Sequence, residues 1–396
     1  MTAQSKPPVL ILGGQENTLS LTRSFGRRNI STYISAPATC LAFKSRYCSK
    51  AYPVPSEMKT KDYWAQLLLN EEHSEISGSV IFAGNDEAVE FIAAKKSELA
   101  NKYVVDDSIP QIHIDMLNKQ RTLELAKIAG CPTPSFYNIS ELDDVKNIGD
   151  DVMFPIMIKP IHSHLFRVYY PGKKYLTAHN REELVEKVKD VLDKNLSVMA
   201  TEIIPGPDDL QSSFFTYITD QQDELFHYTH QIVRRRPKNS GNGCLHISKK
   251  LPATASMGRL FFNGIGFQGF GHIEFKLDLR DNKLKIIECN PRASAAQEIV
   301  TRSGLDMAYH IYRYLTQNVK PKDCYYSSGV RRWWLLEDIL AFRELNKLDE
   351  LSLFSWLKSV FGGPIVFPYF SLSDPLPFLH KVWSDGSGFI KNRVKL

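Results

Sequence analysis

Paired cysteines are missing from this chain of 396 residues. Its six, Cys40, Cys48, Cys131, Cys244, Cys289 and Cys324, are scattered without a CxxC spacing. That argues against a zinc site or a disulfide framework and for reduced thiols. Long apolar runs are missing too. No stretch approaches the roughly 18 apolar residues that cross a bilayer, and the first apolar run stops at Gly13 and Gly14 before it could form the core of a secretion signal. A soluble, cytoplasmic chain without membrane contact is the expectation. Charge of one sign is scarce. A formal +5 hints at anionic ligands but falls short of the concentrated basic face that nucleic acid needs. The one basic cluster, Arg234 to Arg236, lacks the interleaved aromatics of a single-strand binder. Nucleic acid is not expected as a partner. GxGxxG is absent after the first apolar run, which leaves a nicotinamide dehydrogenase without its fingerprint. There is no internal repeat and no low-complexity segment.

What is present is an ordinary globular composition, 43% hydrophobic and 23% charged, in a chain long enough for two or three domains. Pro8-Val9-Leu10-Ile11-Leu12 reads as a strand covered on both faces. The Gly13-Gly14 turn and the helical spacing of Leu19, Leu21 and Phe25 follow, then a second strand in "STYISA". "SVIFAGNDEAVEFIAAKKSELA" repeats the strand, glycine turn and helix, so a small parallel-sheet domain is expected over 1–112. The stretch "DMLNKQRTLELAKIAG" predicts a helix stopping at Gly130, and "FPIMIKP" a strand ending on Lys159. "NREELVEKVKDVL" predicts a helix capped by Asn180. Antiparallel strands are expected in "SFFTYIT" and "ELFHYTHQIV", and a hairpin in "GFGHIEFKLDLRDNKLKIIECN" with its turn at Arg280–Asn282. The remaining boundaries expected are 113–200, 201–320 and an aromatic-rich extension over 321–396.

The end of that hairpin carries the chemistry. "KLKIIECNPRAS" places Glu288, Asn290 and Arg292 on alternate positions, and alternate side chains of an extended segment share a face. An exposed strand end would explain them equally well in isolation. If Glu274 on the preceding strand faces the same way, two carboxylates and an amide oxygen converge. A hard dication such as Mg²⁺ prefers that set, and without one the carboxylates would raise each other's pKa. Arg292 could then hold a phosphoryl group bidentately. Lys159 leaves a buried strand with a compact ammonium suited to phosphate, and Lys119 stands at a helix start. Glu202 ends the strand in "TEIIPGPDD", where backbone amides could read an adenine edge and Asp209 could accept from ribose hydroxyls.

In this order the motifs resemble the ATP-grasp superfamily, and within it the D-aspartate-ligase-like carboxylate–amine ligases. The resemblance runs from "TRSFGRRNISTYI" and "GNDEAVEFIAAKKSEL" through "NKQRTLELAKIAGCPTPS", "FPIMIKP", "TEIIPGPDD" and "VRRRPKNSGNG" to the hairpin and "SLSDPLPFL". It implies an α/β chain, α+β in its two grasp lobes, behind a Rossmann-like pre-grasp domain. It assigns Lys119 and Lys159 to ATP phosphates, Glu202 and Ile203, Ile204 and Pro205 to adenine, and Asp209 to ribose. Glu274, Glu288 and Asn290 would hold Mg²⁺, with Mn²⁺ as a substitute, and Arg292 would meet the transferring phosphate. One departure stands out: no glycine-rich lid follows Lys159, where "PIHSHLFRVYYPGKKY" has Gly172 alone. Lys173 or Lys174 is the expected replacement, Lys174 the preferred one; His162 and His164 read as ordinary loop residues.

The implied reaction activates a carboxylate as an acyl phosphate and passes it to an amine, with an amino acid or small peptide as substrate. Arg234, in a basic loop with Gly241 and Gly243, is expected to grip a substrate carboxylate. The loop "FFNGIGFQGFGH" is expected to wall the acceptor pocket, and the aromatic tail makes a homodimer plausible. Two rivals stay open, a non-catalytic ATP-binding or regulatory protein and a phosphotransferase that stops at the phosphorylated product.

Overall fold

A computed structural model describes residues 6–70, 73–149, 152–161, 166 and 168–393. Its first sheet is built from β1 (Val9–Leu12), β2 (Thr32–Pro37), β3 (Lys50–Val54) and β4 (Val80–Ala83), in the order β3-β2-β1-β4, all parallel. Every residue of β1 is buried, as a strand covered on both faces requires. At the end of β1 the chain turns through Gly13 and Gly14, both with positive φ. A Cβ on Gly14 would lie 2.5 Å from the Gly84 carbonyl, so the turn accepts only glycine. The helix Asp86–Leu99 after β4 is capped by Asn85, which accepts from the Ala88 amide at 2.9 Å.

The second sheet contains β5 (Phe136–Ile139), β6 (Ile156–Pro160), β7 (Leu176–Ala178) and β8 (Val198–Glu202), antiparallel in the order β5-β8-β6-β7. Leu184, Val188 and Val191 of the helix Arg181–Leu192 pack beneath it, and Asn180 caps that helix as expected. The sheet runs to Glu202, past the boundary placed at 200.

The third and largest sheet has seven strands: β9 (Gln211–Ile218), β10 (Glu224–Arg236), β11 (Asn242–Ser248), β12 (Gly269–Asp278), β13 (Lys283–Asn290), β14 (Arg331–Trp333) and β15 (Ile365–Val366). Their order is β13-β12-β9-β10-β11-β14-β15. The antiparallel pair joined by "DQQD" and the hairpin with its turn at Arg280–Asn282 are both present, with Gln222 and Asn282 taking positive φ in their turns. One face packs Phe214, Ile273, Phe275 and Ile286 against the helix Pro252–Gly264. The other face is apolar at one end, where Phe215, Tyr217 and Tyr228 meet Ala296 and Ile299, and polar at the other.

Three expectations change. The single helix up to Gly130 is two, Pro110–Leu117 and Lys119–Ile128, because the Asn118 side chain accepts from the amides of Gln120 and Arg121 and starts a second helix. The stretch from Phe261 begins as the end of a helix, and its Phe261, Phe262 and Phe267 belong to the core on the sheet's far face, while Phe270 and His272 lie on the other face, Phe270 in a cavity wall. The aromatic tail supplies β14 and β15 to the main sheet. Among the described residues no helix is long and apolar enough to cross a membrane. All six cysteines are free.

Candidate active site

The pairing of β12 with β13 settles which way the hairpin acids point. Glu274 lies directly opposite Glu288, and His272 opposite Asn290; residues opposed across an antiparallel pair share a face. A bulge at Ile287 separates this polar end from the apolar pairing of Phe275 with Ile286. The Asn290 amide donates to Glu288 Oε1 at 3.3 Å, and Arg292 Nη2 donates to Asn290 Oδ1 at 3.2 Å. Arg292 also pairs with Asp86 of the first sheet's helix. No hydrogen bond to the Glu274 carboxylate is seen among the described residues; His272 Nε2 stands 3.8 Å from it.

The electrostatics follow from that geometry. Burial, and then the facing Glu288, push Glu274 up to about 7. For Glu288 burial is the largest single influence and opposes ionisation. Lys119, Lys159 and the Asn290 amide outweigh it, so its pKa is lowered. Lys159 comes down to about 8, chiefly through burial, with Glu288 acting the other way. Lys119 and Lys159 thus help to hold Glu288 ionised, while at Glu274 the fields of Arg235 and Lys174 fall short of burial and the facing Glu288. No group of three or more His, Cys, Asp or Glu side chains converges among the described residues. Two opposed carboxylates with an amide are what this site offers a cation, and an oxygen set of that kind fits Mg²⁺.

These groups line a cleft of about 620 Å³ between the second and third sheets. The cleft gathers Lys119, Lys159, Lys174, Glu202, Ile203, Ile204, Glu274, Glu288, Asn290 and Arg292. Met116, Leu117, Pro155 and Met157 make its end near Ile203 apolar. Lys174 comes from the segment before β7, and its ammonium reaches Asn242 Oδ1 at 2.7 Å. Glu202 is engaged by Arg280 and by the Ser135 amide. Cations dominate the lining, seven Lys or Arg side chains against four carboxylates.

Three expected residues stand elsewhere. Arg234 is a correction: it points to the far side of β10, buried, with Nε and Nη2 on the two oxygens of Asp338 at 2.7 and 3.0 Å and Nη1 on Ser359. A bulge at Val233 reverses the alternation, so that Arg235, not Arg234, faces the cleft. Pro205 and Asp209 are exposed and do not line the cleft. Beside Asp209, the buried Asp208 accepts from the amides of Arg235 and Asn239 and fastens the β10–β11 turn. Gly241 in that turn serves close approach instead of mobility, since a Cβ there would fall 1.6 Å from the Arg236 carbonyl oxygen. His162 and His164 lie outside the described residues.

Sequence reasoning missed Arg235, Lys276 and Asp86, whereas Lys173, the alternative to Lys174, does line the cleft. Lys276 could have been found, because it follows Glu274 at the alternate position on β12. Arg235 could not, because a bulge leaves no mark in the residue pattern.

No family model matches the chain. A curated relative, the D-aspartate ligase of Enterococcus faecium, is 22% identical over 324 residues, which span 78% of this chain and 76% of the relative. Among solved structures, the L-amino acid ligase of Bacillus licheniformis is similar with a TM-score of 0.59, at 17% identity over 79% of this chain and 75% of that one. An N5-carboxyaminoimidazole ribonucleotide synthetase in complex with ADP gives a TM-score of 0.64 at 12% identity, covering 88% of both chains. The biotin carboxylase domain of the Hydrogenobacter thermophilus 2-oxoglutarate carboxylase, solved with MgADP and bicarbonate, gives 0.62 at 17% identity over 80% of this chain and 71% of that one. The fold is the one these ATP-grasp proteins share.

Proposed function

We propose that this chain, which has the ATP-grasp fold, is an ATP-dependent ligase that joins a carboxylate to an amine through an acyl phosphate, with an amino acid as one substrate. The observation that carries the reading is the pair Glu274 and Glu288, opposed across two strands in a cleft otherwise rich in cations. Glu274, Glu288 and Asn290 would hold a divalent cation, which would supply charge neutralisation there, and Lys119, Lys159, Lys174 and Arg235 would meet nucleotide phosphates. The apolar end beside Ile203 and Ile204 suits a purine, and Lys276, donating to the Gly206 carbonyl at 2.8 Å, steadies the backbone there.

In the first step a carboxylate oxygen attacks the γ-phosphorus and ADP leaves with the bridging oxygen. In the second the amine nitrogen attacks the acyl carbon, phosphate departs, and the nitrogen loses a proton. Mg²⁺, or Mn²⁺ on the same oxygens, supplies charge neutralisation when bound. Phosphoryl transfer asks for in-line placement and charge neutralisation more than for covalent help, and the lysines with Arg292 provide both. Arg292 stands at the junction with the first sheet through Asp86, where an acyl phosphate would be shielded from water between sheets.

The test is release of ADP by the full chain in Mg²⁺-ATP with pooled amino acids, followed by mass spectrometry of the product. A ligase yields ADP only with substrate present and a product that has lost water between two reactants. Glu288→Ala should abolish turnover with the fold intact. A phosphorylated end product would replace this reading with a phosphotransferase, and nucleotide binding without any stimulated turnover would replace it with a binding module.

A further inference from the structure

A large apolar face stands uncovered toward the C-terminal end of the chain. Of the 22 large hydrophobic side chains exposed among the described residues, 14 lie between Leu335 and Trp383, so the exposure is local and not general. Its centre is two helices, Leu335–Lys347 and Leu353–Phe361. Their inner sides are already engaged. Arg234, on the side of β10 away from the cleft, reaches Asp338 of the first helix and Ser359 of the second. Asp338 also accepts from the indoles of Trp333 and Trp356, at 2.9 and 2.8 Å. Phe342 stacks on Trp356 with ring centroids 4.8 Å apart. These contacts hold the two helices side by side on the sheet and fix which way each one faces.

The side turned outward is apolar too. On the second helix Leu353, Phe354, Leu357 and Phe361 are exposed, at i, i+1, i+4 and i+8, which is the spacing of one helical face. Leu336 and Leu340 of the first helix, one turn apart, are exposed as well. A surface helix normally turns such a stripe to the core. Here Val360 is the buried residue, while Phe354 is 77% exposed and Leu336 67%. With roughly 200 Å² for a whole large apolar residue, the exposed parts of these six come to roughly 650 Å². The largest apolar patch on a typical monomer is about 300–600 Å². Two such faces together offer roughly 1,300 Å², inside the range of about 1,200–2,000 Å² that specific interfaces bury.

The charges on these helices decide between occupants. Arg343, Lys347 and Lys358 stand against Glu344 and Asp349, none of them in an ion pair among the described residues. An anionic bilayer draws a rim of one sign, built from clustered Lys and Arg. A rim of mixed sign instead meets its own copy about a two-fold axis without like-charge repulsion.

We propose that the outer faces of the helices Leu335–Lys347 and Leu353–Phe361 bind a second copy of this chain about a two-fold axis. Phe354 and Phe361 are the aromatic anchors of the contact, and the mixed charges form its rim. The face lies behind the sheet from the cleft, because Arg234 beneath it and Arg235 in the cleft point to opposite sides of β10. Pairing therefore leaves the nucleotide site open in both copies, and it stands independently of the ligase reading.

Sedimentation velocity of the full chain over a micromolar concentration series tests this, with circular dichroism as the check on folding. The unaltered protein should sediment as a dimer. Phe354→Glu should weaken association at least about tenfold with an unchanged spectrum, since the side chain it replaces is exposed. Leu336→Glu, on the other helix, should weaken association too and serves if the first variant misfolds. Amides of 353–361 should exchange more slowly as the unaltered protein is concentrated, and not in the variants. A monomer at every concentration, or a dimer indifferent to both substitutions, would overturn the assignment. So would cosedimentation of the unaltered protein with phosphatidylcholine–phosphatidylserine vesicles that Phe354→Glu abolishes, which would give the face to a lipid surface.

Discussion

Two carboxylates facing each other inside a protein set up a competition between a proton and a metal. Glu274, raised from 4.5 to about 7 by burial and by Glu288, holds a proton in the folded state that the unfolded chain has already lost. Between those values the folded state binds more protons, so this group's contribution to stability falls as pH rises. Lys159 acts in another window. Lowered from 10.5 to about 8 by burial, it releases its proton earlier in the folded state, and its contribution rises with pH between those values. A cation needs Glu274 ionised. Mg²⁺-ADP should therefore raise the melting temperature more at pH 8 than at pH 5.5, and Glu274→Gln should erase the difference. Equal shifts at both pH values in the unaltered protein would contradict a metal on this pair. The acids and their hairpin were legible in the sequence, but not their facing: strict alternation would turn Glu288 to the far side with Ile286, and the bulge at Ile287 brings it opposite Glu274. Arg234 was read as part of a basic loop; it lies on β10, and the bulge at Val233 turns it away from the cleft.

At the scale of elements, the turn between β10 and β11 shows how a short connection shapes the cleft. Ser240, Gly241, Asn242 and Gly243 all line it. Arg235 Nε donates to the Gly241 carbonyl at 2.8 Å, and Asp208 accepts two amides of the same turn. With a Cβ 1.6 Å from the Arg236 carbonyl oxygen, Gly241→Ala must displace backbone. We expect it to cost about 1–3 kcal/mol of stability and to weaken Mg²⁺-ATP binding about tenfold or more by withdrawing Arg235 from the cleft. Differential scanning fluorimetry and nucleotide titration read the two effects; a variant indistinguishable in both would show that the turn is soft. Elements whose boundaries depend on a side-chain cap were harder to read than the hairpins. Asn118 sits inside a run with continuous helical spacing, and only its bonds to the amides of Gln120 and Arg121 divide it. The strands β14 and β15 were invisible for another reason. They have three and two residues, too few for a period, and they exist because the sheet edge at β11 recruits them.

The whole molecule is tied together at a point far along the chain from the nucleotide cleft. Arg23, wholly buried in the helix Glu16–Gly26, pairs through Nε with Asp374 at 3.0 Å and donates to the Tyr369 carbonyl at 2.7 Å. Asp374 also accepts from the Ser45 hydroxyl and the Arg46 amide, at 2.8 and 2.9 Å. The C-terminal segment is thereby bonded to the first sheet's layer. Its Tyr369 hydroxyl donates to Glu16 at 2.6 Å, and Glu16 in turn holds Arg332 beside the buried histidines. Removing one member of a buried ion pair leaves the other uncompensated, at a cost of about 3–5 kcal/mol. Asp374→Ala should lower the first unfolding transition in urea by that amount. Because the strain falls on Arg23, replacing both partners, Arg23→Met with Asp374→Leu, should recover most of the loss. A loss below about 1 kcal/mol in Asp374→Ala would mean that the pair is solvated, and that the C-terminal segment rides on the molecule without holding it.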